Sequence, residues 1–304
     1  MNPFPNPKSP PSLLLLGLAA GLALHAGTGP LAWWRGDGNA NDSAGDNHGT
    51  LLNGTTFAPG IAPGAGGQAF DFDGSDDAVQ FPNPAAPIVS EGLTVAGWLR
   101  TSGTAEFSGV LSKFLQNGQT TGFQIGMSGN NGFAPNRAGI LRSDLGTGNT
   151  YTTAFNLHRV DDGAPHHFAI TCDGRSAVLY VDGEAGTPVA VANWIPNNAA
   201  PIVLGSDPGS GGRHFHGQLD EVTIYPRVLD AGEIQALAGK PSLRIVRANP
   251  DEAVVSWPAG ALGFQLQVND SLDPAGWIGM PGGGNNPTTV PTTSGPKWYR
   301  LARP

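Results

Sequence analysis

Short apolar runs separated by turn residues dominate the chain from Leu31 onward. Leu93–Arg100 (LTVAGWLR), Gly109–Phe114 (GVLSKF) and Thr121–Met127 (TGFQIGM) are each rich in β-branched, aliphatic or aromatic residues. His166–Cys172 (HHFAITC) and Ala177–Val181 (AVLYV) flank Asp173-Gly174-Arg175-Ser176, which predicts a hairpin because glycine adopts positive φ without steric cost. Asp182-Gly183 closes the next strand in the same way, and Ile202–Gly205 and Gln218–Tyr225 complete the series. Strands of this length and spacing predict an all-β fold: a two-sheet antiparallel sandwich with Greek-key or jelly-roll connections.

One segment reads as a helix. Asp230-Ala231-Gly232-Glu233 has the form of a capping box, Ile234, Leu237 and Ala238 follow on one face, and Gly239 and Pro241 stop it. That stop marks the expected domain boundary, with a sandwich over 31–240 and a smaller β unit over 242–304. Strands are expected in the second unit at Leu243–Val246, Ala253–Trp257, Phe264–Val268 and Trp298–Leu301. About sixty residues make a marginal core, so this unit is expected to lean on the larger one or on a partner. At the other end, the apolar run Leu13–Leu24 is too short for the roughly 20 residues of a membrane span, and it predicts a cleaved signal peptide over 1–27. The expected location is secreted, extracellular or periplasmic.

Composition narrows the function. The 45 glycines and 27 prolines disfavour a helical bundle. A net charge of −8 without a long basic cluster argues against nucleic acid as a partner. The single cysteine, Cys172, shares a face with Phe168 and Ile170 at period two, so it reads as a small buried hydrophobe.

Five motifs occur in a fixed order. Trp33-Trp34 precedes Asp42-Ser43-Ala44-Gly45 and His48-Gly49-Thr50; Ala69–Asp77 reads AFDFDGSDD; Leu93–Trp98 carries a central tryptophan. His166–Asp173 and Ala177–Gly183 form the hairpin, and Phe215–Tyr225 (FHGQLDEVTIY) runs into Arg227–Leu237. Together they resemble the laminin-G-like jelly roll of bacterial secreted proteins, within the concanavalin A-like lectin and glucanase superfamily. Ala164-Pro165 stands where that family commonly has a tryptophan before the paired histidines. The C-terminal unit more loosely resembles a fibronectin-III-like fragment.

Catalysis has little support in the residues. A glycosidase needs two facing carboxylates, about 5–5.5 Å apart for retention or 6.5–9.5 Å for inversion. Asp220 and Glu221 are adjacent, so on a strand they point to opposite faces. Calcium has more: Asp37-Gly38-Asn39-Ala40-Asn41-Asp42 places four oxygen-bearing side chains in six residues. The resemblance implies a structural calcium between the opening loop and the last strand, held by Asp37, Asp42 and Asp220. Asp42 capping a turn is the competing reading. For a glycan, loop aromatics with neighbouring amides are the candidates: Phe133 beside Asn130 and Asn131, and Trp194 before Asn197. Trp33 and Trp98 lie in periodic segments and read as core. The expectation is an exported, non-catalytic recognition module for a carbohydrate or a cell-surface partner. The alternatives are a structural or adhesive cell-envelope protein and a glycoside hydrolase with a dispersed active site.

Overall fold

A computed structural model describes residues 29–64, 66–82, 92–103, 107–116, 119–129, 139–194, 196–210, 213–240, 243–257, 264–271, 273, 276–292 and 295–302. The expected signal peptide, Asn130, Asn131 and Phe133 lie outside them. In chain order the strands are β1 (Ala32–Trp34), β2 (Thr50–Leu52), β3 (Thr56–Pro59), β4 (Gln68–Asp73), β5 (Ala78–Phe81), β6 (Leu93–Arg100), β7 (Gly109–Gln116), β8 (Thr120–Met127) and β9 (Ile140–Gly146). There follow β10 (Tyr151–Arg159), β11 (Pro165–Cys172), β12 (Ser176–Val181), β13 (Glu184–Ala185), β14 (Val189–Ala190), β15 (Ile202–Leu204), β16 (Ser206–Asp207), β17 (Arg213–His214) and β18 (His216–Tyr225). Helix α1 (Ala231–Leu237) leads to β19 (Arg244–Asn249), β20 (Glu252–Ser256), β21 (Gln265–Asn269), β22 (Ile278–Gly279), β23 (Thr288–Pro291) and β24 (Trp298–Ala302).

Two large antiparallel sheets form the sandwich. One runs β13-β12-β11-β6-β18-β4-β3, with β1 beside β18 and β14 beside β12. The other runs β10-β9-β8-β7-β15-β5-β2. Non-neighbours in sequence are neighbours in space, as in a jelly roll: β18 pairs with β4, β6 and β1. Between the sheets lies one core that includes Trp34, Phe70, Phe72, Phe81, Leu99, Phe123, Phe168 and Leu219. Trp34 stacks on Phe81 with ring centroids 3.9 Å apart. Burial of side chains this large stabilises by about 1.5–3 kcal/mol each, which lets the chain close its core with the one thiol, Cys172, reduced and buried.

The outer face of the nine-stranded sheet is also covered, which explains why β6 is apolar on both faces. Helix α1 packs Ile234 against Ala96, Ala169, Tyr180 and Tyr225. The loop after β3 packs Ile61 and Ala62 against Ala69 and Trp98. The helix begins as expected: Asp230 accepts from the Glu233 N–H, and the Glu233 side chain accepts from the Asp230 N–H. Residues 243–302 form two three-stranded sheets, β19-β20-β23 and β22-β21-β24. Their core of Ala253, Val255, Trp257, Leu266 and Val290 includes Ala236 of α1, so the helix belongs to both hydrophobic clusters.

Several strands have no counterpart among the expected elements, and β9 and β10 are the longest of them. One expected core residue differs as well: Trp33 is only half-buried, because its Nε1 donates to Glu221 Oε2 at 2.5 Å at the rim of the sheet. The Arg35 guanidinium lies 5.2 Å from its ring centroid.

Candidate functional site

The three carboxylates expected to hold calcium are each engaged by N–H groups. Asp42 Oδ1 accepts from the backbone of Trp33 and Ala44, both at 2.9 Å. Its Oδ2 accepts from the backbone and the side chain of Asn47, at 3.2 and 3.0 Å. Four donors occupy the roughly four acceptor positions of a carboxylate. Burial pushes the Asp42 pKa upward, but these hydrogen bonds together outweigh it and hold the group below the usual value. Asp37 Oδ1 accepts from Gln68 N at 2.8 Å, and its Oδ2 lies 3.3 Å from Arg35 Nε. Asp220 Oδ2 accepts from Ile61 N and Ala62 N. As they stand, these three do not fit a cation: Asp42 shapes a turn, Asp37 holds the start of β4 and Asp220 holds a loop.

Among the described residues, one carboxylate group has its oxygens within 4.8 Å of one another: Asp73, Asp76 and Asp77, in the turn between β4 and β5. There Asp73 Oδ1 accepts from Ser75 N at 2.7 Å and Asp77 Oδ2 from Asp73 N at 2.9 Å, so these acids too are bound up in turn geometry.

The expected aromatic platform at Trp194 is a correction. Its ring is 6% exposed within the main core, and its Nε1 donates to the carbonyl of Gly122 at 3.4 Å. A ring enclosed in this way has no free face for a sugar. Asn197 is exposed beside it.

The densest polar arrangement lies elsewhere, on the outer face of the seven-stranded sheet. Cross-strand register aligns Thr50, Gln80, Val203, Ser112, Gln124, Asp144 and Thr153 in one row. Partners in register point the same way, and the alternate positions Phe123, Ile125, Leu141 and Leu145 fill the core. Asp144 is fully buried and is the hub of the row. Gln124 Nε2 donates to Asp144 Oδ2 at 2.6 Å, Arg142 Nη1 pairs with the same oxygen, and Thr153 Oγ1 donates to Oδ1 at 2.6 Å.

On one side of this row, Phe114 and Tyr151 meet edge to face at 5.8 Å. Their register partners are Gly122 and Gly146, so no side chain stands between the rings. Tyr151 is 43% exposed, the open end of an otherwise covered surface. On the other side, the guanidinium groups of Arg142 and Arg213 lie 5.2 and 5.0 Å from the centroid of Phe107. Asp207 is the register partner of Arg213. It sits against the start of β7, where a Cβ on Gly109 would come within 2.5 Å of Asp207 N.

Four buried atoms in these residues have no hydrogen-bond partner: Gln124 Oε1, Arg142 Nε and both carboxylate oxygens of Asp207. Buried polar groups are nearly always paired, so these atoms call for a partner such as an ordered water or a ligand; among the described residues Ser128, His167, His214, Gln218 and Arg227 also carry such an atom. Sequence reasoning missed the face because Arg142 and Asp144 are uncommon in the middle of a strand. The available signal was the pair of β-like segments on either side of Thr147–Thr150.

A laminin-G family model described as "concanavalin A-like lectin/glucanases superfamily" matches residues 73–235, more than half of the chain. The chain belongs to that superfamily. Solved structures share its fold. Domain 4 of AbnA, a GH43 extracellular arabinanase from Geobacillus stearothermophilus in complex with arabinotriose, is 17% identical; the alignment covers 69% of this chain and 98% of that domain, with a TM-score of 0.50. The binding domain of botulinum neurotoxin DC in complex with SialylT is 11% identical over 89% of this chain and 73% of that one, with a TM-score of 0.54. The binding domain of Paraclostridial Mosquitocidal Protein 1 is 13% identical over 89% and 75%, with a TM-score of 0.51. No curated protein matches the sequence. At these identities the superfamily's sandwich is the shared property, and the chemistry must come from this chain's own residues.

Proposed function

We propose that this chain is a non-catalytic glycan-recognition module of an exported protein, and that the glycan binds the outer face of the seven-stranded sheet. One observation carries the reading: a polar network centred on Asp144 lies beside an exposed aromatic, Tyr151, on a glycine floor. A sugar ring presents an apolar face that stacks on an aromatic and hydroxyls that hydrogen-bond to amides, hydroxyls and carboxylates. Thr153, half-buried and held by Asp144, lies two residues from Tyr151 along β10, so a hydroxyl and a stacking ring meet within one ligand's reach. The partners of two structural neighbours, arabinotriose and SialylT, add support by analogy of fold.

Hydrolysis fits less well. Five aspartates are buried among the described residues: Asp42, Asp77, Asp144, Asp207 and Asp220. Only Asp207 has both oxygens without a partner, and a glycosidase needs two working carboxylates. Export rests on the apolar run ahead of residue 27. Calcium has no assigned role, because the carboxylates that the family resemblance implies are occupied by donors.

The test is affinity electrophoresis through neutral and acidic polysaccharides, with Tyr151→Ala alongside the unaltered protein. Retardation by at least one polysaccharide, weakened about tenfold or more by Tyr151→Ala with unchanged melting, is the expected result. Binding to none, or binding indifferent to Tyr151, overturns the reading. Release of reducing sugar would favour a hydrolase instead.

A further inference from the structure

We propose that strand β19 is a docking edge for an extended, acidic segment of a partner protein, which pairs with it as a further strand of the β19-β20-β23 sheet.

All six residues of β19 are exposed, although the strand pairs along its length with β20. The other wholly exposed strands among the described residues, β13 and β22, are two residues long. Several other sheet edges are blunted: β2 has three residues, and β3 and β23 finish on Pro59 and Pro291. The long edge strand β10 is tied to β12, where Asn156 Nδ2 donates to the carbonyl of Leu179. An edge strand presents a row of backbone N–H and C=O groups to any chain that arrives extended, and such devices keep chains away. β19 has none of them.

Its side chains divide by face. Ile245 and Arg247 stand opposite Val255 and Ala253, on the face that holds the core of this unit, and Leu243 packs against that core. Ile245 is nevertheless 54% exposed, and Val246, on the other face, 45%. The core stops short of Ile245, and one more strand beside β19 would cover it. Arg244 and Arg247 bracket the two apolar residues. Arg247 donates to the carbonyls of Asn249 and Pro250. Among the described residues neither guanidinium has a carboxylate within ion-pairing distance. An open recess of about 410 Å³, lined by Arg247, Ala248, Asn249 and Pro250, adjoins the end of the strand.

These features specify the occupant. Directly opposed side chains in a sheet attract when both are apolar or when their charges are opposite, and like charges repel. The complement of Arg244-Ile245-Val246-Arg247 is therefore acid, apolar, apolar, acid, a pattern that reads the same in both strand directions. A second copy of β19 does not supply it: the strand has no acid, so two copies would bring four guanidinium groups to one seam without a carboxylate. In docking of this kind main-chain hydrogen bonds give affinity, and alternate side chains give selectivity.

The test is fluorescence anisotropy of three labelled octapeptides with the full chain. TTEVIETT carries the complementary pattern, TTKVIKTT reverses its charge, and TTEPPETT keeps the charge but removes the central N–H donors. The expected result is that TTEVIETT binds at least tenfold tighter than either control. In the double variant Arg244→Glu, Arg247→Glu the preference should invert, with TTKVIKTT at least tenfold tighter than TTEVIETT and an unchanged melting temperature. Failure of TTEVIETT to bind overturns the proposal. So does equal binding of TTEPPETT, which would mean attraction of charge without strand pairing, or a preference that survives in the variant. A dimer of the unaltered chain in sedimentation, abolished by Ile245→Asp, would make a second copy the occupant and overturn it as well. Should the double variant not fold, Arg244→Glu alone leaves the bonds of Arg247 in place. It should narrow the preference for TTEVIETT over TTKVIKTT at least threefold, and an unchanged ratio overturns the proposal.

Discussion

Asp220 Oδ2 accepts the backbone N–H groups of Ile61 and Ala62, at 2.8 and 2.9 Å, and so ties the central strand β18 to the loop covering Trp98. Burial pushes its pKa up to about 6, against the opposing effect of those two hydrogen bonds. The folded value lies above the unfolded one, so between about pH 4 and 6 the folded state keeps a proton that the unfolded state releases. This group's contribution to stability therefore falls as pH rises through that window. Asp220→Asn keeps an acceptor for both N–H groups and removes the titration. Urea unfolding across the window should give a flatter profile for the variant, with equal or greater stability at pH 7. Parallel profiles would refute this account.

His166 works with the same sign, in a higher pH window. Its Nδ1 lies 2.8 Å from Asp182 Oδ2 and its Nε2 3.1 Å from Asp162 Oδ1. Burial disfavours its charge, but the hydrogen bonds and attraction to Asp182 and Asp162 together raise its pKa above the usual 6.5. A raised folded value means that stability from this group is fully present below about pH 6.5 and is lost as pH climbs through the folded pKa. His166→Gln should lower the melting temperature at pH 5.5 and do so less at pH 8.5. A constant difference at both pH values would exclude the charged form.

Asp42 should prove structural rather than metal-binding. Asp42→Ala removes four hydrogen bonds and is expected to destabilise by about 2–4 kcal/mol, at the scale of a lost buried network. Melting in calcium and in EDTA should coincide. An ion present at 100 times its dissociation constant would add about 2.7 kcal/mol, and a shift of that size abolished by Asp42→Asn would reverse this assignment.

Trp194 separates core from platform. Trp194→Ala should cost about 3–5 kcal/mol, as for other large-to-small changes in a core. Trp194→Phe keeps much of the volume, and its glycan affinity in the electrophoresis assay should stay within about twofold of the unaltered protein, since packed rings tolerate near-isosteric exchange. A tenfold loss in the phenylalanine variant would return Trp194 to the binding surface.

The scaffold was largely written in local patterns. β6 coincides with the run LTVAGWLR, β12 with the strand after Asp173-Gly174, and α1 with its capping box, because each depends on neighbours in sequence. The family motifs fall on the same elements. The candidate site was not legible, for a physical reason. In β9, all seven residues are buried, including Arg142, Ser143 and Asp144, so neither alternation nor an apolar run announces the strand. Those polar residues are tolerated only because partners from β8 and β10 reach Asp144, and a linear pattern does not display such partners. Trp194 was misread for the complementary reason: it lies in a loop by sequence, yet the fold turns it inward.

One last property follows from the place of β18 between β4 and β6. Both neighbours are synthesised more than a hundred residues before it, and neither pairs with the other directly. A growing polypeptide that ends short of His216 therefore holds the two halves of its larger sheet apart, with adhesive backbone edges on each. Such distant closure makes for slow folding, and any nascent or truncated form is the species most prone to self-association.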